Sequence, residues 1–582
     1  VWHPTLYCIR PGAAGNPTRR TGRQSRAHCR FEKGEVLGRH RREPATDARL
    51  TVNPFLFDKL LKRSEMREMD IGTVGFSRAY HDTGRRIFVR LPSATKLMSA
   101  RKQVLISEIE SAFGAGEYSP EDMSICEVPK PNAAHRPGAL LTMRDRVAYA
   151  TIVSRLLPSI DTVLAKTKLI DLGNQRNGKK ADAELFHKFF QNWKAFATKS
   201  VENANRYAFV VICDVAGFYE NVDLQRLCND LKEAGCKEAD IKLLREMLYR
   251  WSDQSARGRG LPQGHSASDL LAKFYLSSFD REIRDQSIVH LRYNDDIRAF
   301  CRTRREAERT LSAIIRQLRK RGLILQSAKT KVLPSTEAVP SFQGSAPIID
   351  AIRNRIAADA AQELEVPSIP TNELAAVLEN NPVIEREAVR TAFRAHVIEK
   401  PGHFDKSLLH YLFNQLARHK DRFGLSTALT LLRTNPEETE AILGYLSKLS
   451  EKRKLSVKLR RMLSNRWDDR SYQQYQVVIW FLENYARVGG KTMRECRRLV
   501  SSPSQPSYLR DAAKELIRKF GGPDDFEAVR ASFSKDLDDE SRAMSLLSIS
   551  RQDPVRRNVF YKKHGGRSSI GDKAIELAKS AS

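Results

Sequence analysis

Two apolar runs, each closed by acids, constrain this chain more than any other feature. The first, Tyr207-Ala-Phe-Val-Val-Ile-Cys, ends in Asp214, and the second reads Leu291-Arg-Tyr-Asn-Asp-Asp-Ile, with Asp295 and Asp296 side by side. Runs this short, rich in β-branched and aromatic residues, read as buried strands. Adjacent carboxylates on a tight turn repel one another unless a cation lies between them. Gathered at one end of a small sheet, Asp214, Asp295 and Asp296 would offer oxygen ligands to two divalent cations about 4 Å apart, the arrangement that serves phosphoryl transfer. The carbonyl of Val215 can join one of them. An Asp after a single buried strand is usually a turn or a helix cap, so Asp214 takes its meaning from the doublet.

Two neighbouring segments extend the pattern. After Asp214, Gly217 releases the backbone into a turn, which leaves Tyr219 where an aromatic ring can exclude a 2′-hydroxyl from a nucleotide sugar. In Gly260-Leu-Pro-Gln-Gly-His-Ser-Ala-Ser268, Gly and Pro set a rigid turn before a long helix. Gln263 and Gly264 are then expected beneath an incoming base pair. By itself the segment is also compatible with a plain helix N-cap at Ser266 or Ser268.

In this order the segments resemble the palm of the reverse transcriptase family, over about residues 125 to 345. Val128-Pro-Lys-Pro131, His135-Arg-Pro137 and Asp145-Arg-Val147 look like its fingers, and Phe342-Gln-Gly344 is similar to its primer-gripping turn. The resemblance implies that Asp214, Asp295 and Asp296 are catalytic and that Lys130 and Arg136 grip a triphosphate. It also places Lys329, after the palm hairpin, near the phosphates. The cofactor implied is a pair of Mg²⁺ ions, with Mn²⁺ as an alternative, and the substrates are dNTPs. Tyr293, beside the doublet, is a candidate contact to nucleic acid.

Two positions depart from the family pattern. Asn294 precedes the doublet where most members have a small or branched residue, and Asp269 follows Ser268 where many have Pro. The second departure, Phe218-Tyr219 and the helical tail resemble one branch, the bacterial abortive-infection and defence-associated reverse transcriptases. That likeness implies a cytoplasmic, homo-oligomeric anti-phage polymerase making single-stranded DNA, without a template and primed from a protein side chain. The alternatives are a templated enzyme of the retron or intron type, reading RNA, and a nucleic-acid-binding scaffold with an inactive palm.

Charge agrees with a polyanionic partner. Lys and Arg number 99 against 70 acids, a formal net charge of +29. Each cation placed on a phosphate releases condensed counterions, which favours binding. The eight cysteines include no C-x-x-C pair, so neither a zinc site nor a redox motif is indicated. No apolar stretch is expected to span a bilayer, and no membrane partner is expected.

The fold class expected is α+β. Residues 1–52 read as a basic, flexible leader, 53–206 as fingers with an N-terminal helical part, and 207–345 as the palm. Strands are expected at Arg86–Leu91, Phe209–Cys213, Val289–Arg292 and Ile297–Cys301. Residues 346–582 read as helices only, of the HEAT type or a non-repetitive bundle, in place of a thumb. Leu408, Leu409, Leu412, Phe413 and Leu416 form one apolar stripe there at helical spacing. A basic helix carrying Lys452, Arg453, Lys454, Lys458, Arg460 and Arg461 is a candidate single-strand contact or a solvated face. Tyr411, Tyr445, Tyr472, Tyr475, Tyr485, Tyr508 and Tyr561 are the hydroxyls of this region that could prime.

Overall fold

The computed structural model describes residues 70–177, 183–252, 258–364, 366, 368–369, 382–400 and 402–580. The leader, and the helix expected to begin at Asn53, lie outside these residues. Strands β1 (Ser124–Pro129) and β2 (His135–Leu140) pair as an antiparallel hairpin, with Val128 opposite Arg136. Strands β3 (Phe209–Asp214), β4 (Val289–Tyr293), β5 (Asp296–Cys301) and β6 (Lys331–Pro334) form an antiparallel sheet in the order β4-β5-β3-β6.

Side chains alternate across that sheet, as the period of two requires. Along β5, Ile297, Ala299 and Cys301 enter the core, and Cys301 Sγ lies 3.5 Å from the Thr310 hydroxyl on the helix Arg304–Lys320. Asp296, Arg298 and Phe300 take the opposite face. There the Arg298 guanidinium is held between the rings of Phe196 and Phe342, at 4.1 and 4.0 Å. Those rings come from the helices Phe189–Ala204 and Ser335–Gln343. Both faces are therefore covered by helices, and the acids stand at one end. The outer edge of β4 is closed by the segment at 170–172. Arg292 N donates to Ile170 O at 2.9 Å, and Leu172 N donates to Arg292 O at 2.8 Å, which spares the sheet an open row of polar groups.

The helix Met143–Leu164 is the axle of the N-terminal half. Thr142 caps it by accepting from Asp145 N, and fourteen of its residues are buried. Gly75 lets the helix Ile71–Arg85 approach it closely, because a Cβ there would meet Thr151 Cα at 2.7 Å. Contrary to the expectation from sequence, the stretch Met143–Thr167 is long and apolar enough to cross a membrane, though 67% of its most apolar window is buried inside the protein. A core helix has the same composition.

The strand expected at Arg86–Leu91 is absent. The segment is irregular, and its backbone groups are satisfied by side chains from far along the chain. Tyr475 Oη accepts from Arg90 N at 2.6 Å and donates to Arg90 O at 3.1 Å, and Tyr472 Oη donates to Phe88 O at 3.2 Å. The long helix expected after the turn at 260–268 is two, Ser266–Tyr275 and Ser277–Asp285.

From Pro382 onward the described residues are helical, with no strands. The helices Lys406–Arg418, Thr439–Leu446, Ser471–Asn484, Ser507–Phe520, Asp539–Ser548 and Ser569–Ser580 pack each against the next, and of the helices between them Gly490–Ser501 packs on Pro523–Ser532. The apolar stripe from Leu408 to Leu416 is buried. This region docks on the fingers side. Glu515 accepts from Ser93 N and from Ser93 Oγ, the latter at 2.8 Å. Glu540 accepts from Met143 N, and Arg101 donates to Ser569 Oγ at 2.8 Å.

Candidate active site

The three acids meet because two strands deliver them to the same level. Asp214 closes β3 directly opposite Asp296, the first residue of β5. Asp296 also pairs with Tyr293 across the β4–β5 hairpin, so Asn294 and Asp295 form a two-residue loop. Asn294 has φ +54. Two-residue hairpin loops call for positive φ, and Asn accepts it better than branched residues do. The departure at Asn294 is thus explained by the turn. Val215 N donates to Asp295 O at 3.2 Å and ties the loop to the end of β3. On the other side, Gln326 N donates to Asp214 O at 2.8 Å and Ala216 N to Ile324 O at 2.9 Å. These bonds flank the Val215–Leu325 bridge, so the Val215 carbonyl points to the edge that faces the doublet.

Asp214, Asp295 and Asp296 each offer a carboxylate oxygen within 4.8 Å of the others. Asp214 is buried, and its Oδ1 has no hydrogen-bond donor among the described residues. Burial, with repulsion from Asp214, raises the Asp295 pKa. Burial and repulsion from Asp295 push Asp296 up to about 6. An orphaned buried oxygen among three mutually repelling carboxylates, with a backbone carbonyl alongside, suits hard divalent cations such as Mg²⁺ and Mn²⁺. Lys329 Nζ lies 2.9 Å from Asp214 Oδ2 and partly offsets that charge.

Cations from the fingers face the same cluster. Lys130 follows β1 and Arg136 sits on β2. Burial lowers both pKa values, and Asp295 opposes that shift in each case. The hairpin is tied to the turn that holds Gln263, since Ala139 N donates to Gln263 O at 3.1 Å. Gly264 has φ +102, and a Cβ there would lie 2.9 Å from the Phe88 ring, so no other residue fits without strain.

Residues 128–343 match the family described as reverse transcriptase (RNA-dependent DNA polymerase). The chain carries a reverse transcriptase domain. That domain contains all three acids, both fingers cations and Lys329. No curated protein matches the chain. Among solved structures, the chain is similar to telomerases. Apo telomerase from Candida tropicalis truncated from its C-terminal domain is 12% identical with a TM-score of 0.28, over 40% of this chain and 54% of that one. Telomerase from Candida albicans with a telomeric RNA fragment is 11% identical with a TM-score of 0.29, over 66% of each chain. The untruncated apo telomerase from Candida tropicalis is 10% identical with a TM-score of 0.28, over 81% and 73%. The chain thus spans about half to three quarters of these proteins, and likeness at this level carries no argument about activity.

Two of the residues expected to contact nucleic acid are turned inward. The Tyr293 ring is 1% exposed, covered by Phe189, Trp193 and Phe196 at centroid distances of 5.8, 5.2 and 5.4 Å. It supports the hairpin from beneath and offers no face to nucleic acid. Lys452 also turns inward. Its Nζ donates to Ser447 O at 2.5 Å and lies 5.4 Å from the Trp480 ring centre. Arg453, Lys454, Lys458 and Arg461 of the same helix are exposed, and Arg460 is half-buried.

Sequence reasoning missed the layer that supports the acids. Arg292 is fully buried and donates to both Asp280 oxygens, to Asp171 Oδ2 at 2.9 Å and to the carbonyl of Asn294 at 2.8 Å. Lys273 completes the set by pairing with Asp171 at 2.7 Å. The signal available was Arg292 itself, since an arginine in an apolar strand must find buried acids. Asp269 was visible only as a departure from the family pattern.

Proposed function

We propose that this protein polymerises deoxynucleotides at Asp214, Asp295 and Asp296, as a member of the defence-associated branch of bacterial reverse transcriptases. One observation carries the polymerase reading, the meeting of three carboxylates at the end of the palm sheet with oxygens within 4.8 Å, opposite Lys130 and Arg136. Asp214, Asp295 and Asp296 would hold two divalent cations, which would supply acidification of an attacking 3′-hydroxyl and stabilisation of the leaving pyrophosphate. The remaining work belongs to the chain. Lys130 and Arg136 offset charge on the triphosphate, and Lys329, resting on Asp214, lies within reach of the same phosphates. Gln263 and Gly264 lie beneath the base, and Tyr219 flanks the sugar. The test replaces Asp295 and Asp296 together by Ala. Incorporation of labelled dNTPs should vanish while the melting curve and nucleic-acid retention persist; retained incorporation would remove these residues from the chemistry.

The branch reading is supported by Phe218-Tyr219, by Ser268-Asp269 and by the helical tail, whose alternate helices stack as a HEAT-like array would. It brings with it a homo-oligomer in the bacterial cytoplasm. Priming is a separate matter, and one observation favours a nucleic-acid 3′-end over the seven tyrosines. All seven hydroxyls are engaged. Tyr445, Tyr485 and Tyr561 donate to Asp421 O, Lys452 O and Leu546 O. Tyr472 and Tyr475 bond Phe88 and Arg90, and Tyr411 and Tyr508 interact with Arg353 and Ser471. Purified protein incubated with Mg²⁺ and labelled dNTPs alone separates the cases. Label that stays with the protein through denaturation and is lost on nuclease treatment indicates a protein primer; label that appears only with an added primer and template indicates the templated enzyme.

A further inference from the structure

The polar cluster that touches Tyr219 is built from parts of the chain that have no other task in the site. Tyr219 Oη donates to Asp269 Oδ1 at 2.6 Å. The second oxygen of Asp269 is taken by the Arg86 guanidinium. Arg86 in turn lies 5.1 Å from the Phe186 ring centre, and its Nε is 3.9 Å from Asp82 Oδ1. Asp82 is fixed by the start of the helix that carries Asp269, since its Oδ2 accepts from Ser266 N and Ser266 Oγ, both at 2.8 Å. Asp269, Arg86 and Asp82 are therefore each held by at least two other groups. A helix-terminal acid needs only the dipole at its own N-terminus to be satisfied, whereas Asp269 reaches away from its helix to a residue five positions beyond the catalytic Asp214.

The location gives the contact a consequence. Asp295 and Arg136 are both near enough to act electrostatically on Tyr219, so the ring lies close to the acids and to a fingers cation. That is the space a nucleoside triphosphate must cross to bring its phosphates to the acids. A ring used to reject a sugar hydroxyl is effective only while it cannot swing aside. A free tyrosine at a helix start can change rotamer at small cost. One bonded through its hydroxyl to an ion-paired carboxylate cannot, because charge-assisted bonds of this kind are about twice as strong as neutral ones.

We propose that Asp269, backed by Arg86, is a positioning residue that sets sugar specificity, by locking the Tyr219 ring against the 2′-position of the incoming nucleotide. This deepens the polymerase reading of the site and rests on it. The lock needs a carboxylate at position 269 with a cation behind it. It also distinguishes the tyrosine here from a phenylalanine, which would fill the same space with no tether.

The experiment measures kcat and KM for each dNTP and the matching rNTP, in the wild type, Tyr219→Phe, Asp269→Ala and the double variant. Tyr219→Phe keeps the ring and the Asp269–Arg86 pair, so folding is not at issue. The preference for dNTP over rNTP should fall about tenfold or more in each single variant, the worth of one hydrogen bond to a charged acceptor. The loss should come from a lower KM for rNTP, and in Asp269→Ala, whose carboxylate touches Tyr219 and Arg86 rather than the nucleotide, kcat for dNTP should stay within a few-fold of wild type. The double variant should be no worse than the singles, because both break one bond. An unchanged preference in Tyr219→Phe, or equal losses on both nucleotide classes in Asp269→Ala, overturns the proposal. A wild type that incorporates neither class would instead overturn the polymerase reading beneath it.

Discussion

At the scale of single residues, the site is a place where charge has been set against stability. Asp296 opens β5 directly after the two-residue loop of Asn294 and Asp295, with Asp214 across from it, and among the described residues the ion pair made with the trio is that of Lys329. Lys329 reaches only Asp214. The consequence is a dependence on pH with a definite sign. Burial and repulsion push Asp296 up to about 6 in the folded protein, above the roughly 3.9 of an Asp in an unfolded chain. The folded state therefore binds this proton more tightly. Its stabilising effect is complete below about pH 3.9 and is lost as pH rises through about 6. In chelator, the melting temperature should fall between pH 5 and pH 8, and Mg²⁺ should restore it at pH 8 far more than at pH 5. Replacing both members of the doublet by Asn should remove both effects and raise the melting temperature at pH 8, while cutting dNTP incorporation by about 10³-fold or more. Thermal melts across pH, with and without Mg²⁺, decide it; a doublet variant that melts below wild type at pH 8 in chelator counts against the repulsion argument.

At the scale of elements, the β4–β5 hairpin is aimed from behind. Arg292, sunk in β4, fastens the Asn294 carbonyl to Asp280 and Asp171, and removing one member of such a buried set costs about 3–5 kcal/mol. The segment at 170–173 presses on the same loop, and a Cβ on Gly173 would lie 2.7 Å from Asn294 N. Gly173→Ala must therefore push the loop or itself, at a cost of about 1–3 kcal/mol, and should lower kcat while leaving KM for dNTP nearly unchanged. Asn294→Gly, which suits positive φ, should keep both. Steady-state kinetics with a melting curve checks the pair, and a Gly173→Ala enzyme with wild-type kcat would show that the loop is not aimed by this contact. The hairpin was legible because its strands obey the period of two and its acids announce the turn. The segment Arg86–Leu91 was misread as a strand because its partners, Tyr472 and Tyr475, lie some 385 residues away in sequence. Helix Phe189–Ala204 escaped notice for a related reason. Its aromatic face has meaning only once Tyr293 and Arg298 stand opposite it.

At the scale of the whole molecule, the helical tail is joined to the fingers rather than left as a separate body. Glu515, Tyr475, Tyr472 and Glu540 each satisfy backbone groups of the N-terminal half, and the helix Ser471–Asn484 packs on β1, so the tail braces the hairpin that carries Lys130 and Arg136. What the tail offers to nucleic acid is narrower than its composition suggests. Of the basic helix Lys452–Arg460 and the Arg461 that follows, Lys452 is spent on Ser447 and Trp480, while Arg453, Lys454, Lys458 and Arg461 are exposed and have no ion pair among the described residues. Excess charge of +29 over the chain makes some binding to any polyanion inevitable, so affinity alone says nothing about this helix. The salt dependence does. Each cation that sits on a single-strand phosphate contributes about 0.7 to the slope of log affinity against log salt. If a strand runs along this helix, replacing Arg453, Lys454, Lys458 and Arg461 by Glu should flatten the slope by close to that amount for each residue in contact, while Lys452→Gln should change the slope little and lower the melting temperature instead. Fluorescence titrations of a labelled single strand over a series of salt concentrations give both slopes. Parallel lines for wild type and the fourfold variant would assign the helix to solvent and leave the fingers and palm as the strand's path.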